Sequence, residues 1–314
     1  MARRPARRDL AAVLAGVRAL AREPDERVAV EGLRAALEDP AELVVAKAAE
    51  IAGERLLLGL RAPLLAAWDR FYDVEDLNCA AKLACATALD HLEHGDPAPF
   101  VRGIRHVQLQ AAYGKPEDVA AGLRARCAFA IARIGGTDAL LPLAEALADP
   151  LPNVRAAAAQ ALAATGEPAA AALALFKLRA GDPDPAVVSD ALGSLLALNP
   201  GEGLRVARER LDDPDVVLAL GQSRLPEALP LLTERLADTV LARDREVVIV
   251  AVGLLRSDGA RAVLLELVRA ASRADATAAI RALATHSQAP AMRAAVEEAA
   301  EGRGLQANIE EAFG

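Results

Sequence analysis

Residues 149–166 read DPLPNVRAAAAQALAATG, and this stretch decides the fold. It opens on an acid and a proline and places an arginine six residues after the acid. A run of alanines follows, and a glycine comes seventeen residues after the acid. Val154, Ala158, Ala161 and Leu162 have the spacing of one helix face. Asp at an N-cap accepts an orphan backbone N–H, and Pro is tolerated at the first helical position. Glycine is the usual stop, because only it enters the left-handed region at no cost. The stretch therefore predicts one capped, Ala-rich helix. The preceding segment, with Leu140, Leu143 and Leu147, predicts another.

The same phase recurs along the chain. Acidic anchors stand at Asp39, Asp76, Asp118, Asp149, Asp182, Asp213, Asp244 and Asp275, at intervals of 37, 42, 31, 33, 31, 31 and 31. Pro follows the anchor at Pro40, Pro150, Pro183 and Pro214, where a helix start is expected. A base lies six residues on at Lys82, Arg124 and Arg155, and is replaced by Val188, Ala219 and Val250 elsewhere. Gly135, Gly166 and Asn199 occupy the expected C-cap position. A helix–turn–helix unit of about 31 residues cannot bury both apolar faces alone, so neighbours must stack.

Composition agrees. Alanine supplies 76 of the 314 residues, while aromatics make up 3%. That balance favours helix and disfavours a mainly β protein. The net charge is −8, and the four arginines of residues 1–8 leave the remainder at −12. So acidic a body argues against nucleic acid as the partner, unless its cations gather on one face. The longest apolar runs, such as 247–255, are half of what a bilayer requires, so no membrane span is expected. Three cysteines without short spacing make no disulfide framework, and a cytoplasmic setting is the expectation.

The Asp-Pro-x-x-x-x-Arg pattern followed by Ala-rich helix and glycine resembles the HEAT repeat, over roughly residues 25–290. The resemblance implies an all-α, right-handed α-solenoid of about eight stacked helical hairpins. It also implies a ladder between neighbouring repeats, with Asp76 and Lys82, Asp118 and Arg124, and Asp149 and Arg155 as its residues. One solenoid over 1–314 is expected: a basic arm and capping helix (1–26), irregular longer repeats (27–129), regular repeats (130–290) and a C-terminal cap (291–314).

Regularity breaks before Asp118, and the rarer side chains gather there. Trp68, Phe71, Tyr72, Cys79, Cys85, His91, His94, Phe100, His106, Tyr113, Cys127 and Phe129 all lie between residues 68 and 129. Insertions in solenoids map to loops, often on a binding face. Trp68, Phe71, Cys79, Cys85 and Cys127 are expected in the core. The segment from His94 to Lys115 is expected to be an exposed loop. The candidate interaction patch is His91, His94, Arg102, Arg105, His106, Tyr113 and Lys115.

His91 and His94 share a helix face, as two metal ligands would. The run "DHLEHGD" also reads as a polar helix end with Gly95 as its stop, and this is the preferred reading. The chain has no His-Glu dipeptide, no His-Glu-x-x-His helix, no Walker loop and no Gly-x-Ser-x-Gly elbow. "GEGLRVA" at Gly201 is expected to be a turn between helices. No cofactor or catalytic residue is assigned, and a protein partner is expected. The alternative is an enzyme accessory or lyase, as among the HEAT-like bilin lyases, with His91, His94, His106 and Tyr113 converging on one groove. The remaining reading, a basic concave surface as in HEAT-like DNA glycosylases, requires Arg102, Arg105, Arg124, Arg126, Arg133 and Arg155 along one face.

Overall fold

The computed structural model describes residues 9–111, 114–286 and 289–314. The chain divides into two compact units, Met1–Thr165 and Gly166–Gly314. In the first, the elements are α1 (Leu10–Ala19), α2 (Glu26–Leu37), α3 (Glu42–Glu54), α4 (Arg61–Arg70), α5 (Ala80–His91) and α6 (Ala98–Ile104). Then come β1 (Leu109–Gln110), β2 (Glu117–Asp118), α7 (Ala121–Ile134), α8 (Leu140–Ala146) and α9 (Pro152–Ala164). The second holds α10 (Ala170–Ala180), α11 (Pro185–Leu198), α12 (Pro200–Arg208), α13 (Pro214–Gln222) and α14 (Ala228–Asp238). It ends with α15 (Ala242–Leu254), α16 (Asp258–Ala270), α17 (Arg273–His286), α18 (Pro290–Ala299) and α19 (Gln306–Phe313).

The fold class is all-α, with helical hairpins stacked in solenoid fashion. In the first unit α3, α5, α7 and α9 pack in sequence as one row, with α1 against α3. In the second, α11, α13, α15 and α17 form the corresponding row, with α19 against α17 and α18 against α16. Small side chains line these rows: Ala48, Ala52, Ala81, Ala88, Ala128, Ala158 and Ala161 are buried. Gly221 goes further, because a Cβ there would come within 2.8 Å of the Ala251 Cα on the neighbouring helix. Alanine and glycine are thus what the close helix approach demands.

Several local expectations are corrected. The aspartates of the Asp-Pro pairs at 39, 149 and 182 stand two residues before the N-caps of their helices rather than at them. Their carboxylates close a turn instead: Asp39 accepts from Ala41 N at 2.9 Å, Asp149 from Leu151 N at 2.8 Å, and Asp182 from Asp184 N at 2.9 Å. Only Asp213 with Pro214 forms the cap expected of these pairs. Asn199 is not a left-handed stop: its φ is −146°, and its side chain caps α12 through Glu202 N. "GEGLRVA" is no turn, since α12 runs through it, and Gly203 lets Leu196 approach.

Helix ends use unexpected residues. Leu56, Glu93, Arg224 and Arg256 adopt φ of 53–55° just after α3, α5, α13 and α15. After α5, Glu93 takes the left-handed position expected of Gly95. His94 N then donates to Leu89 O at 2.9 Å and Glu93 N to Asp90 O at 3.0 Å, the Schellman pattern of a helix end.

Candidate functional site

The ladder residues form a chain of buried charge. Lys82 lies 3.2 Å from Asp76, both side chains being inaccessible, and its ammonium also donates to Phe71 O. The Asp76 carboxylate accepts from Ala81 N and Lys82 N, so it caps α5 as well. Arg124 is the hub. It reaches Asp118 at 2.7 Å, Asp149 on the next repeat at 2.7 and 3.2 Å, and His106 O at 2.9 Å. Burial works against its charge, but the hydrogen bonds it donates to Asp149 and Asp118 outweigh that and hold its pKa above the usual guanidinium value. Asp118 is likewise opposed by burial, yet the N–H groups of Gln108 and Ala120 and the Arg124 guanidinium hold it below the usual carboxylate range. Arg155 donates to Asp149 O and Pro150 O.

The ladder does not lapse throughout the later repeats. Arg245 pairs with Asp275 at 2.9 Å and donates to Leu236 O and Thr239 O. Thr239, five residues before Asp244 and six before Arg245, stands where the acidic anchor belongs, so Asp244 and Val250 are not the ladder positions of this repeat.

Between α5 and α7 the insertion is not an open loop. Its first part is α6, whose Phe100, Gly103 and Ile104 are buried. Its second part is the antiparallel pair β1–β2, with Leu109 opposite Asp118 and Gln110 opposite Glu117. Alternation sorts the hairpin side chains. Gln108 and Gln110 turn inward, and both donate to Asp76 O, at 2.6 and 3.2 Å. Gln110 also accepts from Asn78 N at 3.0 Å, where Asn78 and Cys79 are consecutive left-handed residues. Val107 and Leu109 turn outward and remain 60% and 65% exposed. The sequence reading missed this face, although the alternation in Val107-Gln108-Leu109-Gln110 is its signature.

The candidate patch residues separate. Arg102 lies over the Tyr72 ring at 3.5 Å and pairs with Asp69 at 3.0 Å. His106 meets the same ring edge-on at 4.9 Å. Burial lowers the His106 pKa, Lys82 and Arg102 add to that, and the Gln108 hydrogen bond and Asp118 oppose it. Arg105 turns to α8, where it clasps Glu145 through two hydrogen bonds. His91 is exposed at the end of α5, and Lys115 is exposed in the hairpin turn. His94 is half-buried beside Phe100, contrary to the expected exposure. Tyr113 lies outside the described residues.

Beneath the patch is an aromatic core. Trp68 meets Phe100 edge-on at 5.6 Å, and Gly103 packs against Trp68 and Cys127. Trp68, Phe71, Cys79, Cys85 and Cys127 are all buried, as expected. Burial pushes the Cys79 and Cys85 thiols up to about 12, and raises Cys127 well above the usual thiol value. Among the described residues, the Trp68 Nε1, Tyr72 hydroxyl and His94 Nε2 atoms are buried without a hydrogen-bond partner. Burial also pushes the Tyr72 hydroxyl well above the ordinary phenol value. Among the described residues no three His, Cys, Asp or Glu side chains gather as a metal would require.

Comparison with known proteins bears on the repeat. Residues 117–195 match the family described as HEAT repeats. The matched segment begins in the hairpin at Glu117 and includes the Arg124 hub with its Asp118 and Asp149 partners. Two solved structures are similar over most of their length. The complex of CpcE and CpcF of phycocyanin lyase from Nostoc sp. PCC7120 is 19% identical with a TM-score of 0.37, covering 86% of this chain and 93% of that one. An engineered protein is 17% identical with a TM-score of 0.38, covering 98% of this chain and 95% of that one. No curated protein matches.

Proposed function

We propose that the HEAT-repeat chain is a protein-binding module that acts through the outer face of the β1–β2 hairpin. The observation that carries this reading is the two-faced construction of the insertion. Its inner face is pinned by Gln108 and Gln110 to Asp76 O, and by Asp118 to Arg124. Its outer face offers Val107 and Leu109 to solvent. A segment that interrupts the repeat, is rigidly held and leaves apolar side chains outside is suited to docking rather than to packing. Arg102 and Arg105, each in an exposed ion pair, flank it as polar rim. Preorganisation lowers the ordering cost that binding would otherwise incur.

The test is affinity capture from the native host's lysate, with wild type beside Val107→Ser/Leu109→Ser and beside Arg102→Ala/Arg105→Ala. Each variant alters exposed side chains, so circular dichroism should be unchanged. A protein held by wild type and lost in the first variant supports the hairpin face. A protein held equally by all three overturns it and moves recognition to the regular repeats.

A further inference from the structure

The helix α6 is a short segment between two pinned points. Before it, Arg61 donates to Leu92 O at 2.9 Å, and after it Arg124 donates to His106 O at 2.9 Å. Seven residues are too few for a helix to be stable by itself. What keeps α6 in place is therefore what it buries, namely Phe100, Gly103 and Ile104. The ion pairs around it, Arg102 with Asp69 and Arg105 with Glu145, are exposed, and such pairs hold weakly.

The surface beneath α6 opposes closure. Among the described residues, the three with a buried and unpartnered side-chain polar atom all touch this helix. Trp68 meets Phe100 edge-on, and its Cζ2 lies 3.0 Å from where a Gly103 Cβ would stand. Tyr72 lies under the Arg102 guanidinium at 3.5 Å, and His94 stands beside Phe100 at 6.2 Å. The Trp68 N–H and the Tyr72 hydroxyl, four residues apart, approach each other without hydrogen-bond geometry. A polar atom buried unpaired forfeits its hydration, and lifting α6 returns it. Burial of Phe100 and Ile104 favours the closed helix, while three dry polar atoms favour the open one. The two contributions are of the same order, so closed and open forms lie close in free energy.

We propose that α6 is a lid, hinged at residues 95–97 and 105–106, that opens to admit water to Trp68, Tyr72 and His94. In the open form Phe100 and Ile104 join Val107 as exposed apolar side chains. The lid thus switches the apolar surface beside the hairpin between a smaller and a larger form. The motion belongs to the isolated protein, so it stands whether or not the hairpin's outer face binds a partner.

Hydrogen exchange tests it, together with quenching of Trp68, the single tryptophan of the chain. In the wild type the amides of 101–104 should exchange through a local opening, faster than those of 125–131 in α7. Tyr72→Phe keeps the ring under Arg102 and removes one dry hydroxyl, so the closed form gains. Exchange at 101–104 should then slow roughly tenfold while α7 is unchanged. Gly103→Ala acts in the opposite direction, because its Cβ would overlap Cys127 Sγ. It should open Trp68 to acrylamide while circular dichroism keeps its helical signal. Exchange in Tyr72→Phe as fast as in wild type, or faster, overturns the proposal, since an internal water then serves the hydroxyl in the closed form. Equal exchange of α6 and α7 in the wild type overturns it too, because α6 then opens only with the whole unit. So does a Trp68 no more accessible in Gly103→Ala than in wild type.

Discussion

The repeat around Arg124 and the repeat around Gly221 solve one packing problem in two ways. In the first, a guanidinium bridges the acids of two successive repeats, and helix register is set by directed charge. In the second, Ala219 stands six residues after the Asp213 anchor, and register is set by backbone approach at Gly221. Directed bonds tolerate large neighbours, and the aromatic cluster of Trp68, Phe71 and Phe100 lies in the charged stack. Contact packing needs small, uniform side chains, and the Gly221 stack is mainly Ala, Val and Leu. An insertion is accommodated more readily where hydrogen bonds, rather than close backbone contact, fix the register. The hairpin sits beside Arg124 accordingly.

Removing the charge hub should have the largest effect. Arg124→Ala strands Asp118 and Asp149 and should cost about 3–5 kcal/mol, read from urea unfolding. The triple change Asp118→Asn/Arg124→Met/Asp149→Asn should recover most of that loss. If the triple variant stays as unstable as the single one, the ladder contributes net stability rather than register, and the contrast between the stacks fails. The matching change in the second unit is Gly221→Ala. Its Cβ would meet the Ala251 backbone within 3 Å, and overpacking of that kind costs about 1–3 kcal/mol. A neutral Gly221→Ala would mean that backbone approach at this position does not set the register of its repeat.

Much of this was legible because repetition amplifies weak signals. The 31-residue spacing and the alanine faces are visible without any contact map. What stayed hidden depends on partners far apart in sequence. Arg245 finds Asp275 thirty residues on, while Thr239 in the anchor position disguises the phase. Left-handed helix ends at Leu56, Glu93, Arg224 and Arg256 carry no glycine to announce them. The hairpin is only two residues per strand, too short for a period-two pattern to stand out beside helices. The candidate patch misled for a related reason: residue type says that His94 is polar, but the Schellman hydrogen bonds turn it inward.

Those disguised helix ends supply a smaller test, present in both units. A non-glycine residue in the left-handed region is strained by about 1–2 kcal/mol, and glycine relieves this at an entropic cost of about 0.5–1 kcal/mol. Leu56→Gly in the first unit and Arg224→Gly in the second should therefore each raise stability by about 0.5–1 kcal/mol, seen as a higher midpoint of thermal unfolding. A gain in one unit alone would show that the hairpins of the two units do not end in equivalent ways.

The smallest effect expected is one of pH, and it belongs to the charged stack. His106 sits on Tyr72 and lends its carbonyl to Arg124. Burial, with Lys82 and Arg102 nearby, holds its folded pKa below the ordinary 6.5. Between the two values the unfolded chain binds more protons than the folded one, so stability rises with pH there. The stabilising contribution of neutral His106 is full above about pH 6.5 and is lost as pH falls through the folded pKa. His106→Gln keeps a polar side chain that does not titrate in this range. It should flatten the stability profile below pH 6.5 while Leu56→Gly leaves its slope unchanged. An unaltered slope in His106→Gln would show that the imidazole is solvated in the folded protein, and that the hairpin stands off from Tyr72 and the ladder rather than closing over them.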